Sequence, residues 1–89
     1  MLKADQGDVS GAIALFQQSL DIKEQIGNAQ GKAMTLQWLG GLAAYAQQDY
    51  ETGIRCFQES AEILERIGSP EAVNARQSLE RIQQMAEGE

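Results

Sequence analysis

The sequence predicts an all-α protein: an α-solenoid of antiparallel helix pairs, with four main helices of which the last is a C-terminal capping helix. Three observations predict it. Residues 8–27, DVSGAIALFQQSLDIKEQIG, return at residues 49–68, DYETGIRCFQESAEILERIG, offset by 49 − 8 = 41 with no gap. Asp8/Asp49, Ile13/Ile54, Phe16/Phe57, Ser19/Ser60, Ile22/Ile63, Glu24/Glu65 and Gly27/Gly68 are identical pairs. Within each copy the apolar residues recur three and four apart, and the stretch between the copies contains no proline. Self-similarity at a fixed period of this size marks stacked supersecondary units, none of which buries its apolar face alone.

Residues 1–7, MLKADQG, read as the tail of a preceding helix, because Gln6-Gly7-Asp8 aligns with Gln47-Gln48-Asp49. The first full helix is expected over residues 8–27. Asp8 stands at its start, where a carboxylate can accept from the exposed amides of the first turn. Val9, Ala12, Ile13, Phe16, Leu20 and Ile26 form its apolar stripe, and Gly27 follows the last of them, where a left-handed cap is easiest for glycine.

The second helix is expected over 29–48, with Asn28 as its cap. Its apolar residues nearly circle the axis, so it should be buried on several sides. The Gly40-Gly41 pair in its middle costs about 1 kcal/mol per glycine relative to alanine, which points to another backbone in close approach. The third helix, 49–68, repeats the first: Asp49 caps it, Tyr50, Ile54, Phe57, Ala61, Leu64 and Ile67 form the stripe, and Gly68 ends it. Ser69-Pro70-Glu71 then opens a helix over 70–87 with a cap residue, a proline and a first-turn acid. Ala72, Ala75, Leu79, Ile82 and Ala86 are its one apolar stripe. Shifting Leu36, Leu39, Gly40 and Ala43 by 41 gives Gln77, Glu80, Arg81 and Gln84, so one face has become polar, as expected of a terminal cap. The whole of 1–89 reads as one domain.

Leu39-Gly40, Ala12-x3-Phe16 and Gly53-x3-Phe57 resemble the tetratricopeptide repeat pattern W-x2-L-G-x2-Y followed by A-x3-F. The period departs from the family's 34 residues, and resembles the longer repeat of kinesin light chains and bacterial signalling proteins. Trp38 stands two residues after the family's tryptophan position, and the spacing from Gly40 to Gly53 is one residue longer than the family's. Gln47-Gln48-Asp49 resembles the family's inter-helix turn, with glutamine where glycine is usual. The resemblance implies a protein–protein interaction scaffold, part of a larger array that binds a peptide or a neighbouring domain. The groove positions it implies are Met34, Gln37, Gly41, Ala44 and Tyr45. Trp38 and Tyr45 are expected to pack against the preceding helix with their polar tips at the edge.

Catalytic constellations are missing from the sequence. No histidine is present, which excludes triads, imidazole ligands and histidine bases. Cys56 occupies the position of Leu15 and reads as a packing residue; Glu59, Glu62 and Glu65 read as a solvated face. No enzyme, metal or cofactor is expected. A net charge of −6, with the seven Lys and Arg residues scattered, argues against nucleic-acid and membrane partners. The absence of an apolar run or leader makes a cytoplasmic protein the expectation. The helix over 8–27 lacks a first helix of its own to pack on. That leaves the stripe of Val9, Ala12, Phe16 and Leu20 partly bare and predicts a homodimer through the N-terminal helix. The competing reading is a self-assembly module whose repeats stack between chains.

Overall fold

The computed structural model describes the backbone of residues 6–88 and the side chains from Val9 onward. The described residues are helical, with four α-helices packed against one another: α1 (Gln6–Gln25), α2 (Ala29–Gly41), α3 (Tyr50–Arg66) and α4 (Ala72–Gly88). A single π-helical turn, Leu42–Ala46, continues α2. The molecule measures 38 × 32 × 19 Å, so its thin dimension is about two helix diameters.

The helix ends follow the caps. Asn28 Oδ1 accepts from the Gly31 N–H at 2.8 Å, Asp49 Oδ1 from the Thr52 N–H at 3.2 Å, and Ser69 Oγ from the Glu71 N–H at 3.2 Å. Gly27 and Gly68 take φ of +74° and +72°. At both, the same pair of bonds closes the helix: Gly27 to Glu24 and Asn28 to Lys23, then Gly68 to Glu65 and Ser69 to Leu64. This is the Schellman pattern, made twice from equivalent residues. Asp8 differs from expectation: the helix already runs through Gln6 and Gly7, so Asp8 lies within α1 rather than at its cap. Of the proposed tail over 1–7, Gln6 and Gly7 are continuous with α1, and 1–5 lie outside the described residues.

Contacts pair low with high numbers, so neighbouring helices run antiparallel: Phe16 meets Trp38, Gly53 meets Ala44, and Arg76 bonds Glu65. The core sits in α2, α3 and α4. One cluster holds Ala33, Leu36, Ala61, Ile63, Leu64, Ala72 and Ala75; the other holds Ala44, Phe57, Leu79 and Ile82. From α1, only the half-buried Leu20 reaches the first cluster. The polar face of α4 is as expected, with Gln77, Glu80, Arg81 and Gln84 all exposed.

Gly40 is the point of closest approach. A Cβ there would lie 2.7 Å from Phe57 Cδ2 and 3.1 Å from Cys56 Cβ. Gly53 returns the contact from α3: its missing Cβ would meet Ala44 Cβ at 3.0 Å and the Gly40 carbonyl at 3.1 Å. Gly41 does not share this role, since a Cβ there meets nothing within 4 Å.

The expected unbroken α-helix over 29–48 ends instead in the π-turn. A π-turn carries one more residue than an α-turn and occurs as an insertion in an otherwise α-helical run. It provides a physical place for the extra residue between Gly40 and Gly53. Within it, Ala44 faces α3 and is fully buried while Tyr45 is 51% exposed. The helix is left through Gln48 at φ +54°, a left-handed conformation without a glycine to hold it.

Candidate functional site

Both copies of the repeat share Ile13/Ile54, Phe16/Phe57, Ser19/Ser60 and Ile22/Ile63 at the same spacing, and their surroundings differ on one side. Around α3, the side facing α2 is covered: Gly53 abuts Ala44, Cys56 lies against the Gly40 position, and Ser60 Oγ donates to the Ala33 carbonyl at 2.8 Å. The equivalent positions on α1 are Ala12, Leu15 and Ser19: Leu15 is exposed, Ala12 and Ser19 are half-buried, and Ser19 Oγ accepts from Lys23 Nζ of the same helix at 2.8 Å. The exposures record the difference. Ile63 is 7% exposed and its equivalent Ile22 is 58%; Phe57 is 6% and Phe16 is half-buried; Leu15 is 66%.

The α2 side of this end is bare in the same way. Trp38 is 64% exposed, with its ring stacked on Phe16 at a centroid separation of 6.3 Å and an interplanar angle of 9°. It does rest on the preceding helix, as expected, yet most of it faces water. A cleft of about 380 Å³ beside it is lined by Met34, Gln37, Trp38, Gly41 and Leu42. Shifted by 41, Met34, Trp38 and Gly41 become Ala75, Leu79 and Ile82, all of them core residues. The cleft is therefore core surface without its cover.

Of the groove residues that the resemblance implies, Met34, Gln37 and Gly41 come together here. Gln37 also donates to Ser60 Oγ at 3.2 Å, which fixes its amide toward α3. Ala44 is buried against Gly53 of α3, and Tyr45 is exposed but does not line the cleft. Trp38 and Leu42 replace them.

The proposed self-association stripe needs a similar correction. Leu20 packs toward Ala33 and Leu36, and Val9 is half-buried, so these two belong to the side of α1 that α2 already covers. Ala12 and Phe16 lie at the border of the bare side. Its centre is formed by Leu15, Ile22 and Ile26, the last 69% exposed. The 41-residue offset carried this information: Cys56, Ile63 and Ile67 mark the equivalent side on α3.

The charged groups are structural in character. Lys32 Nζ spans Glu24 of α1 at 3.3 Å and Glu59 of α3 at 3.6 Å, tying three helices together. Arg76 donates two bonds to Glu65, at 2.8 and 2.9 Å, and these hold the Glu65 carboxyl below its usual range. Burial pushes the Cys56 thiol up, and the nearby Glu59 carboxylate adds to the shift, so the thiolate is disfavoured there. No helix among the described residues is long and apolar enough to cross a membrane. Set against family models, curated proteins and solved structures, the chain finds no match.

Proposed function

We propose that this chain is a non-catalytic protein-interaction scaffold, a short solenoid of antiparallel helix pairs of the tetratricopeptide kind, which holds an apolar peptide or helix on its Trp38 end. The observation that carries this reading is the exposed Phe16–Trp38 stack above an apolar cleft, three of whose lining residues, Met34, Trp38 and Gly41, have buried equivalents one repeat later in Ala75, Leu79 and Ile82. A surface built to core specification gains by being covered, at roughly 25 cal/mol per Å² of apolar area removed from water. Gln30 of α2 donates to Glu71, its equivalent 41 residues on and the residue before α4, at 3.4 Å, which supports side-by-side placement of successive first helices. A scaffold of this kind needs no titrating nucleophile, and the raised thiol of Cys56 fits packing better than reactivity.

Trp38 is the only tryptophan, so its emission reports on this surface. Random peptides displayed on phage and selected on the chain should converge on apolar side chains at helical spacing. Binding should shift Trp38 emission to the blue, and Trp38→Ala should abolish it while leaving helicity intact. Selected peptides that bind the Trp38→Ala chain equally well would overturn the assignment.

A further inference from the structure

The bare side of α1 has a pattern of its own. Ala12, Leu15, Ser19, Ile22 and Ile26 are spaced three, four, three and four, which is the heptad seam of two helices packed along their length. Leu15, Ile22 and Ile26 are exposed, and Ala12 and Ser19 are half-buried small residues between them. Flanking the seam are Gly11, Gln18 and Gln25 on one edge and Phe16 and Lys23 on the other. Asp21 and Glu24 point away from it, and Glu24 is engaged by Lys32. Between Ala12 and Ile26 the seam therefore contains no carboxylate, on a chain whose net charge is −6.

We propose that this seam is a two-fold interface with a second copy of the same chain, α1 packing antiparallel on α1. Three features favour a copy of itself. The first is self-complementarity. In the antiparallel register that places Leu15 opposite Ile26 of the other chain and Ser19 opposite Ile22, Gln18 comes to Gln25 across the interface, while Lys23 stays on its own helix with its Nζ donating to Ser19 Oγ at 2.8 Å. The seam then meets its copy apolar on apolar and amide on amide, with no acid facing acid.

The second is area. Leu15, Ile22 and Ile26 leave on the order of 350 Å² of apolar side chain in water, within the range of the largest patch a soluble monomer shows. With the flanking Gln18 and Gln25, the face has the size of a weak, reversible interface, below the roughly 800 Å² per partner of a standard one. The third is the opposite end. The outer face of α4 presents Gln77, Glu80, Arg81 and Gln84 around the single exposed Val73, so a second copy gains little by stacking there, and closed pairing is favoured over an open filament. The inference rests on reading this end of the molecule as a docking face, and assigns its α1 side to a second copy.

Sedimentation equilibrium of the whole chain at micromolar concentrations decides the point. The expected result is a monomer–dimer equilibrium that Ile22→Glu weakens at least about 100-fold, since a carboxylate would be forced into the apolar seam. Ala14→Glu, on the far side of α1, should leave it unchanged. The register is tested without a disruptive charge. In a Cys56→Ser background, chains with Leu15→Cys and chains with Ile26→Cys should cross-link to each other faster than either does to itself. A parent that stays monomeric, a dimer indifferent to Ile22→Glu, or cross-linking without the mixed preference would overturn the proposal. A monomer that still binds the selected peptides through Trp38 would overturn the dimer alone and leave the scaffold reading standing.

Discussion

A methyl group added at Gly40 would press on the buried ring of Phe57 at 2.7 Å, while one added at Gly41 would enter open space. Helix propensity favours alanine at both by about 1 kcal/mol, so the two sites separate packing from propensity. Gly40→Ala is expected to lower stability by more than about 1 kcal/mol through overpacking, and Gly41→Ala to leave it unchanged or raise it. Urea denaturation of the two variants beside the parent checks this, and equal effects would refute the close contact. Gln48 offers the converse case. Its φ of +54° is strained for a side chain and free for glycine. Gln48→Gly is therefore expected to stabilise by roughly 0.5–1 kcal/mol, read from the shift in the urea midpoint at constant slope.

The elements themselves are legible in the sequence where a boundary rests on local chemistry: Asn28, Asp49 and Ser69 each accept a first-turn amide, and Gly27 and Gly68 close the preceding helices, whereas the start of α1 does not fall at Asp8. The π-turn is not, for a physical reason. Apolar residues circle α2 and its continuation, so an extra residue produces no polar side chain in the wrong phase to reveal it. Ala44 stands four residues after Gly40 and shares its α3-facing side, so its burial against Gly53 takes it out of the groove. The two sides of α1 are equally hard to separate within one copy, since Val9 and Leu20 look no different from Leu15 and Ile22. Only comparison with the covered copy distinguishes them.

The cap on α3 also sets a pH dependence. Hydrogen bonds from the Thr52 side chain and backbone N–H hold the Asp49 carboxyl below its ordinary value of 3.8. The folded chain thus binds this proton more weakly than the unfolded one. The stabilisation is fully present above about pH 4 and is lost as pH falls through the lower folded value. Glu65, held down by Arg76, acts in the same direction. Denaturation across the acid range should show stability falling below about pH 4, with a shallower fall in Asp49→Asn, which keeps an acceptor without the titration.

At the scale of the whole molecule, the two copies are a built-in comparison of one side chain in two settings. Phe57 is enclosed from both sides, by Gly40 of α2 and by the cluster with Leu79 and Ile82, whereas Phe16 is half-buried and shares one face with Trp38. Phe57→Ala is expected to cost about 3–5 kcal/mol, and Phe16→Ala less than half of that when both are measured in a background with Ile22→Glu. Similar losses would mean that the bare side contributes as much to the fold as the core. The two ends differ in kind: one is built from core side chains, and the other is sealed by polar ones. Lengthening by tandem gene duplication is therefore directional. A second copy of residues 8–48 spliced in before Asp49 would place a Gly40 over an inherited Phe16 and keep the sealed terminus. Such a chain should unfold at higher urea concentration with a steeper slope, whereas a repeat appended after α4 would find little apolar surface beyond Val73 to grow on.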